Sequence, residues 1–279
     1  MEEPEENRCL KEGYMYLQKF CPKEAALCFN RALEISPGLT QALSGRGDSL
    51  MMDGRFDLAL KDYETILRSE RHPLIYMNKG LCLHQLGRSP EGLKCIEMAK
   101  KLCDDDRLMV IVISAKAEVH NDLGELSEAL RDYHNAIALR KDDPSLYSFR
   151  GQLQYRMGRY QEAAQDISRA VALSNAFVPD LYCRAHCFWK LGDHHNALLD
   201  FNQVIEVEPN EWTNYLSRGR LLMEMGLNDA AMEDLTTTIK LNGQCADAYT
   251  LRAELYALKG DDRSIQRSAL DLDKARHLQ

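Results

Sequence analysis

Cys183, His186 and Cys187 come nearest to a reactive set in this chain. Spacings of three and four residues put them on one side of a helix, where two thiolates and an imidazole could touch one metal ion. A closed zinc site needs four ligands, and no partner pair is evident, so no metal site and no cofactor are expected. Asp104 to Asp106 bring carboxylates together, but in a connecting loop, where a solvated charge cluster is the default. No Gly-rich Lys-Ser/Thr phosphate loop occurs, and Gly45 with Gly47 lacks the third glycine of a dinucleotide turn. No serine or cysteine stands in a nucleophile elbow. Arg46-Gly47-Asp48-Ser49 spells an integrin-binding string, yet such a string needs an exposed loop and Gly47 reads as a residue inside a helix. With no catalytic residues to assign, the chain is not expected to be an enzyme.

The elements behind these residues follow from a glycine that recurs at Gly54, Gly87, Gly124, Gly158, Gly192, Gly226 and Gly260. Four of the six intervals are 34 residues, and the others are 33 and 37, which is the period of stacked helix–turn–helix units. Seven residues before each stands a small residue: Gly47, Gly80, Ala117, Gly151, Ala185, Gly219 and Ala253. Five residues after most stands another, from Ala59 and Gly92 to Ala231. Eight units are predicted, at 6–39, 40–72, 73–106, 110–143, 144–177, 178–211, 212–245 and 246–279. Together they form one array over 6–279, behind an acidic, disordered lead-in at 1–5. Within a unit the eighth position is the first small residue and the fifteenth the turn glycine. Phe20 holds that turn position in the first unit. Gly or Ala at position eight removes bulk where the first helix crosses the second; a helical glycine costs about 1 kcal/mol against alanine, so its recurrence implies close contact. Leu102, Leu139, Leu173, Val207 and Leu241 are expected to end second helices, and Pro37, Pro144 and Pro209 fall at junctions.

A charge ladder accompanies the repeat. Position seven carries Arg46, Lys79, Lys116, Arg150, Arg184, Arg218 and Arg252; position twenty-three carries Asp62, Cys95, Asp132, Asp166, Asp200 and Asp234. Both lie eight residues from the turn glycine, at one height in an antiparallel helix pair. Arg46–Asp62, Lys116–Asp132, Arg150–Asp166, Arg184–Asp200 and Arg218–Asp234 are therefore predicted neighbours, with a reach to the next unit's Asp as the open alternative. In the last unit Leu272 and Ala275 fit the pattern only with about three residues inserted near Asp261–Ser264. Asp271, Asp273, Lys274 and Arg276 are there to give the array a polar end.

Composition narrows the partners. The chain has a formal net charge of -8 and no run of Lys and Arg, which argues against nucleic acid and against an anionic membrane surface. Nine scattered cysteines without a CxxC pair fit reduced thiols. A cytoplasmic location is expected, with nuclear or cytoskeletal association left open. The acidic start predicts no signal or transit peptide, and Leu108–Ile113, the longest apolar run, is too short to span a bilayer.

These phased positions resemble the tetratricopeptide repeat family. Tyr147, Gly151, Tyr155, Ala163 and Ala170 match its pattern in one unit, and Ala185, Ala197, Phe201 and Pro209 in the next; Gly92, where alanine is usual, departs from it. The resemblance implies an all-α fold, a right-handed superhelical solenoid, whose concave face is lined by first helices and binds peptides or partner helices. Carried over by position, that face receives Ser44, Asp48 and His84 among early residues and Glu118 and Asp122 in the fourth unit. Later units supply Tyr155, Arg156, Tyr182, His186, Trp189, Lys190 and Arg220. Aromatic and arginine side chains dominate interface energetics, so the expected function is an adaptor or scaffold holding a protein segment there. Its cations suit a segment with acidic and apolar residues. Alternatives are a structural subunit assembled through its convex face or ends, and a chaperone cofactor. The family's dicarboxylate clamp is missing, however. Asn78 fits it, but Ser44, Asp48, Ile111 and Ala115 stand where Lys, Asn, Lys and Arg are needed. The oligomeric state is left open by the sequence.

Overall fold

The structure, a computed structural model, describes residues 4–174 and 177–278. Among them the chain forms sixteen α-helices and no strand. Contacts gather the helices into two compact units, Met1–Lys141 and Asp142–Gln279. The first unit holds α1 (Glu5–Gln18), α2 (Pro22–Ile35), α3 (Thr40–Met52), α4 (Phe56–Leu67), α5 (Pro73–Gln85), α6 (Ser89–Leu102), α7 (Asp106–Asp122) and α8 (Leu126–Leu139). In the second are α9 (Pro144–Arg156), α10 (Tyr160–Leu173), α11 (Val178–Lys190), α12 (His194–Val207), α13 (Trp212–Glu224), α14 (Asn228–Leu241), α15 (Ala246–Lys259) and α16 (Asp262–Leu278). Odd and even helices pair into hairpins, one for each predicted repeat. First helices also meet first helices, α1 with α3, α3 with α5, α5 with α7 and α9 with α11.

The punctuation has the expected causes. All seven turn glycines adopt φ between 71° and 77°, the left-handed conformation that ends the first helix. Phe20 takes it too, at φ 56°, and is 81% exposed. The five second helices end on the predicted Leu102, Leu139, Leu173, Val207 and Leu241. Pro144 opens α9, where its missing N–H would be unpaired anyway. At the start of the chain, residues 1–3 of the expected lead-in lie outside the described residues; Pro4 is the N-cap and Glu5 the first residue of α1.

Small residues set how closely the hairpins close. A Cβ on Gly47 would lie 2.7 Å from the Tyr63 ring, and one on Gly151 2.6 Å from Ile167. The departure at Gly92 has a cause here. Gly80 and Gly92 face each other across α5 and α6, and a Cβ on Gly92 would sit 2.5 Å from the Gly80 carbonyl oxygen. Two glycines let these backbones approach more closely than a Gly–Ala pair allows.

The arginine rungs form within their own hairpins. Arg46, Arg150, Arg184 and Arg218 each grip their own Asp through two N–H groups at 2.6–2.8 Å. The sequence reading missed a second tie, to position twenty-five of the preceding hairpin. Arg46 donates to Asn30 and Arg218 to Asn202, both at 2.8 Å; Arg184 reaches Ser168 and Arg252 reaches Thr236, both at 3.4 Å. Where position twenty-five is an acid, the cation is lysine and the acid captures it. Lys79 lies 3.1 Å from Glu64, and Lys116 lies 2.6 Å from Glu97 but 3.9 Å from Asp132. The predicted Lys116–Asp132 rung is thus stretched, because one ammonium cannot fork between two acids as a guanidinium does.

The three-residue insertion near Asp261 becomes an added turn of helix. Helix α16 has 17 residues against 14 in α14, and its rung is Arg252–Asp271 at 2.8 and 2.9 Å, three residues further along than the others. Asp271 is therefore not part of a polar end face: it is buried in the ladder. Leu258 and Leu270 of the last hairpin are 71% and 70% exposed.

Candidate functional site

In the second unit, helices α9, α11 and α13 carry the predicted site residues. Asp143 caps α9 by accepting from Ser145 N–H, and Glu211 does the same for α13 from Thr213 N–H. Along α11, Tyr182, His186 and Trp189 are spaced four and three residues apart and share one face. They pack on Phe201 of α12, which is fully buried. Ring centroids lie 5.9 Å from Tyr182 to Phe201, 5.2 Å from His186 to Phe201 and 6.4 Å from Trp189 to Phe201. His186 also meets Tyr182 edge-on at 4.6 Å and stacks with Trp189 at 5.6 Å. Tyr155 of α9 completes the group, 6.5 Å from His186. All four rings keep part of their surface open.

Polar contacts fix their orientation. The Tyr182 hydroxyl shares a 2.9 Å hydrogen bond with the Ser217 hydroxyl of α13. The Trp189 indole N–H donates to Glu224 at 2.6 Å. Arg220 is held by Asp247 at 2.6 Å, while Lys190 and Arg156 are exposed. Burial, reinforced by the charges of Lys190 and Arg220, pushes His186 down to about 4, so its ring is neutral at pH 7. His186 turns toward Tyr182 and Trp189, whereas Cys187 is buried in the hairpin core. Among the described residues no three His, Cys, Asp or Glu side chains converge on one point.

All seven predicted residues thus lie in one unit, with Tyr155, Tyr182, His186 and Trp189 in direct ring contact. An open cleft of about 550 Å³ adjoins them, lined by Tyr155, Arg156, Pro179 and Tyr182 and also by Glu208, Glu211 and Asn214. The last three were missed. Glu208 and Glu211 sit in the α12–α13 connection and Asn214 at the third position of its unit, none of which the family pattern marks as inner.

The first unit treats its inner residues differently. Asp48 accepts from Tyr63 at 2.7 Å and from Asn78 at 3.0 Å, so the Arg46–Ser49 string is locked inside the fold. Burial raises the Asp48 carboxyl, and these two hydrogen bonds oppose the rise. His84 bridges Ser89 at 2.9 Å and Asp122 at 3.2 Å. Asn78, the one residue that fitted the dicarboxylate clamp, is thereby tied to an acid of its own chain.

Comparison with known proteins agrees with this architecture. Profiles described as tetratricopeptide repeat match residues 44–106, 216–262 and 181–211, and one described as TPR repeat matches 117–158. The chain belongs to the tetratricopeptide repeat family. A curated relative is the tetratricopeptide repeat and J domain-containing co-chaperone of Cryptococcus neoformans, 29% identical over 70 residues. That match spans 25% of this chain and only 13% of the relative. Among solved structures, the C-terminal part of a TPR repeat-containing protein from Cytophaga hutchinsonii superposes with a TM-score of 0.69 at 17% identity, covering 81% of this chain and 92% of that one. For pilF of Pseudomonas aeruginosa the values are 0.62, 19%, 78% and 97%. YrrB, described as a TPR protein with an unusual peptide-binding site, gives 0.58, 21%, 67% and 93%. At these identities the likeness is one of fold. No described helix is long and apolar enough to cross a membrane.

Proposed function

We propose that this chain is a non-catalytic adaptor that holds a segment of a partner protein across α9, α11 and α13. Tetratricopeptide repeats serve protein interaction in general. The observation that carries the reading here is the aromatic group of Tyr155, Tyr182, His186 and Trp189 beside an open cleft. Partly exposed rings seated on a buried phenylalanine are preordered, so a ligand meets a large apolar surface at little entropic cost. Lys190 and Arg156, both exposed, supply charge for acidic groups on the segment. A single segment would bind at about micromolar strength, more tightly where the partner is multivalent.

The test is capture of partners from cytosol, read by quantitative mass spectrometry. Wild type is compared with the variant Tyr182→Ala, Trp189→Ala, Lys190→Glu, Arg220→Glu, after circular dichroism shows both folded. Partners lost only from the variant support this site; equal retention removes it. Exposed Leu258 and Leu270 favour a second reading, a structural subunit assembled through the last hairpin. In that case the four-site variant keeps its partners, and Leu258→Glu with Leu270→Glu loses them.

A further inference from the structure

The acids lining the cleft say more about its occupant than the aromatic rings do. Asn214 is only 3% exposed, and its Nδ2 has no hydrogen-bond partner. A buried N–H donor left without an acceptor keeps its desolvation penalty until something supplies one. Glu208 and Glu211, on the connection leading into α13, are exposed, and neither forms an ion pair among the described residues. Glu211 accepts from the Thr213 N–H and hydroxyl through a single oxygen, Oε1. Of the cations nearby, Arg220 already holds Asp247, and Arg156 lines the same cleft from α9.

We infer that the segment held here is an extended peptide carrying a lysine or arginine beside an apolar side chain. The cation sits at Glu208 and Glu211, the Asn214 amide turns toward the cleft so that its Nδ2 donates to a backbone carbonyl of the segment, and the apolar side chain lies on Tyr155 and Tyr182. This rests on the groove reading above and adds the chemistry and direction of the ligand to it. The base of the segment points to the α12–α13 connection, and any acidic residue points to Arg156 and Lys190. Charge complementarity of this kind selects partners and sets register more than it adds affinity.

The experiment selects phage-displayed random dodecapeptides on the full chain and on the double variant Glu208→Gln, Glu211→Gln. Glutamine keeps an acceptor for Thr213, so α13 stays capped while both charges go. The expected result is enrichment of Lys or Arg at a fixed distance from an aromatic or branched residue on wild type. On the double variant the apolar residue remains enriched and the basic one does not. A synthetic enriched peptide should then bind about tenfold more weakly when its base is replaced by Glu, a difference that the double variant abolishes. Asn214→Ala should weaken both peptides alike. Enrichment without a basic residue, or with the same basic residue on the double variant, overturns the inference and leaves the groove standing. Failure of any peptide to enrich over the bare support, or enrichment that survives Tyr182→Ala, overturns the groove reading as well.

Discussion

The two units solve the same stacking problem by different contacts. In the second, Arg184 and Arg218 each bind their own Asp and reach the preceding hairpin, and Arg252 does likewise. In the first, two of the three rungs use lysine, and those lysines turn to the preceding hairpin's Glu64 and Glu97. There the inner face contributes the missing ties. Asn78 to Asp48 joins the second hairpin to the third, and His84 to Asp122 joins the third to the fourth. Where guanidinium rungs carry the register, the inner face is tied too, by Tyr182 to Ser217, Trp189 to Glu224 and Arg220 to Asp247, but it keeps open rings and an amide nitrogen without a partner. Where ammonium rungs cannot, the inner face is closed by its own hydrogen bonds.

Removing an arginine rung should have the largest effect. Arg184→Ala strands Asp200, which is 4% exposed, and should cost about 3 kcal/mol in denaturant unfolding. Lys79→Ala strands only Glu64, whose side chain is 46% exposed, and should cost under ~1 kcal/mol. Equal losses would erase the contrast between the units.

The Gly80–Gly92 crossing belongs to the first unit alone, and there the family's preferred residue should be harmful. Gly92→Ala gains about 1 kcal/mol of helix propensity. Its methyl, however, would meet a backbone oxygen rather than a yielding side chain. A net loss of about 2 kcal/mol is expected, as for other overpacked sites. A thermal unfolding midpoint unchanged or raised would show that α5 and α6 separate freely.

His186 tests the second unit from its open side. Its folded value of about 4 lies below the unfolded value near 6.5, so between those values the unfolded chain binds the extra proton. Stability contributed by the neutral ring is full above pH 6.5 and declines as pH falls toward 4. The loss should be on the order of 1–2 kcal/mol, after allowing for screening at the ring's open edge. His186→Gln should remove that slope from the pH dependence of unfolding while leaving the carboxylate-driven part. An unchanged slope would mean that the ring is solvated.

The sequence carried the hairpins because their signals are local and repeated. A turn glycine must be left-handed, a crossing residue must be small, and a seven-to-twenty-three ion pair follows from hairpin height. The Arg252–Asp271 rung was concealed by the inserted turn, although the misfit of Leu272 and Ala275 gave the right length. Position twenty-five was not legible. Asn30, Ser168, Asn202 and Thr236 have only hydrogen-bonding capacity in common, and that pattern emerges once the arginine is seen to have a third direction to donate. The aromatic face was legible by type and spacing, whereas Glu208, Glu211 and Asn214 join it through the path of a connection.

That third direction yields the smallest and most exact test. Asp132 is buried and its Oδ2 has no hydrogen-bond partner, because Lys116 sits at Glu97 instead. Burial raises the Asp132 carboxyl, with Lys116 and His120 opposing it only in part. Lys116→Arg should place two N–H groups on Asp132 and keep a third for Glu97, as Arg46 does with Asp62 and Asn30. The expected gain is about 0.5–1 kcal/mol, read as a higher denaturant midpoint with unchanged slope. It should vanish when Asp132→Asn is combined with it. If stability falls instead, the lysine was chosen for space near His120, and the first unit's dependence on its inner clasps has another cause.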